Sequence, residues 1–159
     1  MNYIPLEQLK NAWIFRHKSL PISDKDLAKI KPMTAIRANT LWDTFISKQV
    51  DHPDFFRNGD WAFDNKTWVE NTEWEKTWDN DDTASLPLLV EEHINWDNNT
   101  VIYFCCSRNY VIETTWLTFK NTWKNFLFMD DGSILVGKKR KEVIQFLNTG
   151  RCKIGNRPL

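Results

Sequence analysis

Glycine is scarce in this chain: 159 residues contain five, at positions 59, 132, 137, 150 and 155. Loops that cradle phosphate need closely spaced glycines, and neither G-x-G-x-x-G nor G-x-x-x-x-G-K-[ST] occurs here, so no nucleotide-loop chemistry is expected. Long apolar runs are missing as well. The longest, Val101 to Cys106, has six residues, whereas a helix crossing a bilayer needs about 20. Met1 to Glu7 has neither a basic leader nor an apolar core, and the expectation is a protein without a secretory signal, located in the cytoplasm. Cysteine is limited to Cys105, Cys106 and Cys152, an odd number, and the first two are neighbours whose side chains would point to opposite faces of a strand. Buried, reduced thiols are expected rather than a disulfide framework. Histidine is limited to His17, His52 and His93, none with a second histidine or cysteine at ligand spacing, so no metal and no cofactor is expected.

Motifs for covalent or acid–base chemistry are equally thin. Ser107 falls in a predicted hairpin turn with no glycine-flanked nucleophile elbow, and an apolar strand around Cys105 and Cys106 would raise their thiol pKa and suppress reactivity. Asp51-His52-Pro53-Asp54 and Glu91-Glu92-His93 gather possible ligands, but side chains one and two apart on a helix point in different directions. Asp79, Asp81 and Asp82 read first as a solvated loop; a glycosidase would need two carboxyls held roughly 5–10 Å apart across a cleft. No catalytic residue is assigned.

What the chain has in abundance is tryptophan, nine residues spread from Trp13 to Trp123. It also has charge sorted along its length. The net charge is zero, yet residues 1–50 sum to +4, 51–82 to −7, 83–136 to −3 and 137–159 to +6. The acidic segment holds four of the tryptophans, Trp61, Trp68, Trp74 and Trp78, ahead of Asp79, Asp81 and Asp82. Two readings of it stand. The rings can be core, because a domain this size needs large apolar anchors. They can also be partner-binding anchors in an acidic setting that steers a basic protein toward them. The basic stretch Lys138-Lys139-Arg140-Lys141, with Arg151, Lys153 and Arg157, carries no nucleic-acid motif and fits a strand-to-helix junction, so nucleic acid is not the expected partner.

Periodicity predicts the elements. Ser23 caps a short helix that stops at Pro32, and Ala38, Leu41, Trp42, Phe45 and Ile46 share one face of a helix within 34–50. Ala12 to Phe15 reads as a strand after a helical turn near Pro5. Thr72-Glu73-Trp74-Glu75 reads as a capping box that sets Trp74 and Trp78 one turn apart. A short helix runs from Ser85 to about His93. Val101 to Cys106, apolar on both faces, reads as a central strand paired through Ser107-Arg108-Asn109 with Tyr110 to Trp116. A helix follows from Thr118 to Phe126, then Asp131-Gly132 turns into the strand Ile134 to Val136. Glu142 to Asn148 reads as a helix capped by Gly150, and Cys152 to Ile154 as a short strand. The expected fold is a single α+β domain over 1–159, a small, mainly antiparallel sheet centred on Val101 to Cys106 and covered by the helices bearing Trp42 and Trp123.

Trp116-Leu117-Thr118-Phe119 through Trp123, Phe126-Leu127, Asp130-Asp131-Gly132 and Gly155-Asn156-Arg157-Pro158 together resemble a small gammaproteobacterial family of unknown function. The resemblance implies a bacterial cytosolic origin and a compact α+β domain; it carries across no activity and no functional residue. The leading functional expectation is a non-catalytic protein-interaction module, of the inhibitor or immunity type, using the surface of residues 51–82. The alternative is a small hydrolase or ligand-binding protein with a Trp-lined acidic cleft.

Overall fold

Residues 1–82 and 85–158 are described by the computed structural model. In chain order the elements are α1 (Asp24–Leu27), β1 (Lys31–Pro32), α2 (Ala35–Phe45), β2 (Trp68–Glu73), α3 (Glu75–Asp79), α4 (Leu88–His93), β3 (Val101–Ser107), β4 (Tyr110–Thr115), α5 (Trp116–Met129), β5 (Ile134–Gly137), β6 (Glu142–Phe146) and β7 (Arg151–Asn156). The strands form one antiparallel sheet in the order β1-β4-β3-β5-β6-β7-β2. This is the α+β architecture expected, with a sheet broader than a small one. Its middle position belongs to β5, and β3 lies beside it with a partner on each edge.

Both faces of the sheet are buried, and the strand period of two sorts side chains between them. Ile102, Phe104 and Cys106 of β3 join Ile112, Leu135, Ile144, Phe146 and Ile154 on the first face, under Trp116, Phe119, Trp123 and Phe126 of α5. Tyr103 and Cys105 join Val111, Ile134, Val136 and Val143 on the second, under Ala38, Leu41 and Trp42 of α2. The two helices with Trp42 and Trp123 thus cover opposite faces. Thr34 caps α2 by accepting from the Arg37 amide, and Thr115 caps α5 by accepting from the Thr118 amide, each filling one of the orphan donors of a first turn.

α5 is buried beyond its apolar stripe because the N-terminal segment folds across its outer side. Asn125 Nδ2 donates to the carbonyls of Ile14 (3.0 Å) and Leu20 (2.9 Å), and Thr118 Oγ1 donates to Asp26 Oδ1 (2.9 Å). Phe15 sets its ring against Phe126 at 5.2 Å between centroids.

Four expectations are corrected. Ala12–Arg16 is a 3₁₀ helix rather than a strand, since Asn11 turns through φ 66° just before it and Ile14 and Phe15 are buried together while Trp13 and Arg16 face solvent. Glu142–Phe146 is a strand, not a helix: Val143, Ile144, Gln145 and Phe146 are buried on alternate faces between β5 and β7, and a strand covered on both sides has no period to distinguish it from a buried helix. The basic run therefore turns a strand-to-strand hairpin, with Lys139 at φ 59°. Thr72 and Glu73 belong to β2, so no capping box forms. The first amides around α3, those of Trp74 and Glu75, donate instead to the Gly150 carbonyl, at 2.9 and 3.1 Å.

Candidate functional site

The acidic segment begins where α2 ends, and buried polar contacts fix its path. Trp42 Nε1 donates to the Val50 carbonyl (2.7 Å), and Ser47 Oγ donates to Asp60 Oδ1 (2.5 Å). Arg108 pairs with Asp43 and Asp51 and donates to the carbonyls of Ser47 and Val50, so one guanidinium ties the β3–β4 hairpin to the turn after α2. Charge-assisted bonds of this kind are the strong ones.

The four tryptophans of the segment go to two places. Trp61 and Trp68 lie 6.4 Å apart and pack on the second face, with indole N–H groups donating to the carbonyls of Phe45 (3.0 Å) and Ala62 (2.9 Å). Trp74 and Trp78 pack on the first face and donate to the carbonyls of Leu147 (2.9 Å) and Lys124 (2.8 Å). Trp74 is buried; the other three are half-buried. With every indole N–H of the four spent inside the fold, what these side chains offer outward is ring surface.

That surface is continuous at one location. Trp78 stacks on Phe128 at 6.0 Å and 29°, Phe128 meets the edge of Trp13 at 5.6 Å and 82°, and Trp13 meets His17 at 5.7 Å. The row crosses three elements: α3 supplies Trp78, the last turn of α5 supplies Phe128, and the 3₁₀ helix over α5 supplies Trp13. Trp13 is 54% exposed and Phe128 52%, although each is flanked by rings. Asp79, Asp81 and Asp82 follow Trp78 directly and are exposed. Asp81 also lines a groove of about 240 Å³ with Leu20, Pro21 and Lys124, whose Nζ donates to the Asn80 carbonyl (3.0 Å). Of the seven residues expected in the partner surface, Trp78, Asp79, Asp81 and Asp82 follow one another at the end of this row, Trp74 is buried in the core of the same face, and Trp61 and Trp68 sit on the other side of the sheet.

The remaining candidates are held by structural contacts. Cys105 and Cys106 point to opposite faces, and burial pushes both thiols well above the usual cysteine range; burial raises Cys152 to about 12. All three are free. His52 Nδ1 accepts from the Asp54 amide (3.0 Å), and His93 Nε2 lies 2.7 Å from the Gly155 carbonyl, a contact it makes as donor. Among the described residues no three His, Cys, Asp or Glu side chains gather as a metal site, and no helix is long and apolar enough to cross a membrane.

A protein-family model described as "Protein of unknown function (DUF2947)" matches residues 3–155. The chain belongs to this family. No curated protein and no solved structure matches the chain. Trp13 and Phe128, the two most exposed rings of the row, escape a sequence reading confined to residues 51–82. Phe128 does carry a signal: in a helix whose apolar stripe is Phe119, Trp123 and Phe126, it falls off the stripe and yet is aromatic.

Proposed function

We propose that this protein is a non-catalytic protein-interaction module of the bacterial cytoplasm, whose contact surface is the row Trp13–Phe128–Trp78 with Asp79, Asp81 and Asp82 beside it, and whose partner presents a basic segment. The observation that carries this reading is the exposure of Trp13 and Phe128, two of the three large rings in a continuous aromatic row. Tryptophan and other aromatics are favoured anchors at interfaces, and bordering carboxylates would orient a basic partner and speed its approach. The row is built on helical elements seated on the core, so little ordering would oppose binding. Three buried, unpaired cysteines fit a reducing compartment.

The test is a titration of the ¹⁵N-labelled protein with a synthetic lysine- and leucine-rich peptide, alongside Phe128→Ser and Asp81→Asn. Saturable shifts at residues 13, 78–82 and 128, weakened in both variants while their melting temperatures stay at the parent value, are expected. Shifts spread over the whole surface, or undiminished in Phe128→Ser, would remove the row from the interface. A parent protein that dimerises through the same residues would replace the basic partner with a second copy.

A further inference from the structure

On the second face of the sheet, far from the aromatic row in the fold's layering, α2 leaves a cleft of about 440 Å³ over Tyr103, bounded by the residue after β5, Lys138. That volume falls within the roughly 300–1,000 Å³ of small-molecule sites. Its walls are Leu41 and Phe45 of α2 with Ile36 at the rim, and its two charged side chains, Arg37 and Lys138, are both cationic.

Two cations line it. Arg37 reaches from the first turn of α2, 3.5 Å from Glu113 and 5.5 Å over the ring of Tyr3, and its Nε is buried without a partner. Lys138 is exposed and makes no ion pair among the described residues. A third cation, Arg157, has its guanidinium 5.2 Å over the Phe45 ring; it is 8% exposed, donates to the Gly137 carbonyl (3.2 Å), and makes no ion pair among the described residues, Glu142 acting on it only at longer range. Among the described residues no carboxylate lines the cleft. Glu113, the carboxylate that Arg37 meets, also accepts from the Tyr3 hydroxyl at 2.9 Å.

Tyr103 forms the floor. It is 3% exposed, its ring lies 5.6 Å from Phe45, and its hydroxyl has no hydrogen-bond partner among the described residues. Burial raises its pKa to about 12, so the hydroxyl stays protonated and available as a donor. Buried polar groups are satisfied in the great majority of cases, and the buried Arg37 Nε beside this floor, which is not, calls for a cause. The hydroxyls of Thr40 and Thr44 on the cleft's helix wall are spent, donating to the carbonyls of Ile36 (3.2 Å) and Thr40 (2.8 Å).

We infer that this cleft binds a small organic anion, a carboxylate or a phosphate monoester on an apolar body of about one ring, with Lys138 and Arg37 holding the charge, Tyr103 donating to it, and Leu41 and Phe45 enclosing the apolar part. An inorganic ion alone would leave the apolar walls unused, and a long polyanion does not fit a cleft of this volume. The site is independent of the aromatic row, and either can fail without the other.

The experiment titrates benzoate, phenyl phosphate and inorganic phosphate into the ¹⁵N-labelled protein, with Lys138→Gln and Tyr103→Phe beside the parent. Both substitutions keep the fold testable, since Lys138 is exposed and phenylalanine preserves the ring of Tyr103. Saturable shifts from benzoate or phenyl phosphate at residues 34–45, 103 and 138 are expected, with affinity falling roughly tenfold in Lys138→Gln and a few-fold in Tyr103→Phe. The tighter of the two organic probes identifies the anionic group. The inference is overturned if neither organic probe saturates at millimolar concentration, if both variants bind like the parent, or if inorganic phosphate binds as well as the aromatic probes.

Discussion

Gly155 shows how much one missing methyl can decide. A Cβ there would stand 2.0 Å from the Thr67 carbonyl oxygen, a backbone atom that cannot swing aside. The same carbonyl accepts from the Asn156 amide at 2.9 Å, and Trp68 pairs opposite Gly155, so the close approach is what seats β2 on β7. Gly155→Ala is expected to cost at least about 2 kcal/mol, in the range of overpacked cores, through the pairing of β2. Gly132→Ala is the control: its nearest neighbour would be Asp130 Oδ1 at 3.8 Å, and its effect should stay within about 0.5 kcal/mol. Urea midpoints of the two variants check the contrast. Neither cost could be read from the sequence, where both positions are simply a glycine near a turn.

At the scale of elements, the informative case is the segment lying over α5. Its joint is Asn125, 3% exposed, which spans two carbonyls from different turns of that segment. Asn125→Ala would leave the Leu20 carbonyl without its donor and the Ile14 carbonyl with only the long 3.5 Å bond from the His17 amide, an expected loss of about 2 kcal/mol. Hydrogen exchange should locate it, with protection falling at residues 12–20 and remaining in β3 and β5. Periodic elements were the ones legible in advance: α2, α5 and the β3–β4 hairpin show their faces in the spacing of Trp42, Trp123, Phe104 and Ile112. β6 reads as a helix in sequence because burial on both sides erases alternation. β2 gives no strand signal because as an edge strand it carries Glu70, Asn71 and Glu73, a polar pattern that suits an edge and resembles a loop. The aromatic row was half legible, through Trp78 and its acids; the other half comes from residues 50 and 65 positions away in the chain, and no local spacing joins them.

For the molecule as a whole, both sheet faces share the same strands, so the two cores should be lost together in a single urea transition seen identically by fluorescence and far-ultraviolet circular dichroism. Alkali should weaken that transition. Burial raises Cys152 from 9.0 and Tyr103 from 10.0, each to about 12, and pushes Cys105, Cys106 and Tyr110 up as well. Above pH 9 the unfolded chain releases these protons while the folded one keeps them. The unfolded state then binds fewer protons, and stability must fall as pH rises. The contribution is complete below pH 9 and is lost progressively toward pH 12, by a few kcal/mol in sum. Melting temperatures between pH 8 and 11 would show it, and a flat profile would mean that the thiols and phenols meet water in the native state.

The pairing of β2 with β7 also fixes an order of events in time. Asn71 and Arg151, which bond across that pair, are 80 residues apart, and Tyr3 and Glu113, joined at the other end of the sheet, are 110 apart. A ribosome making the chain must release β3, β4, α5, β5 and β6 before β7 exists to receive β2. During that interval β2, with Trp68, has no strand to pair with. Closing such long loops is slow, so refolding should be slow for a domain of this length, with the tryptophan environment around β2 among the last to become native.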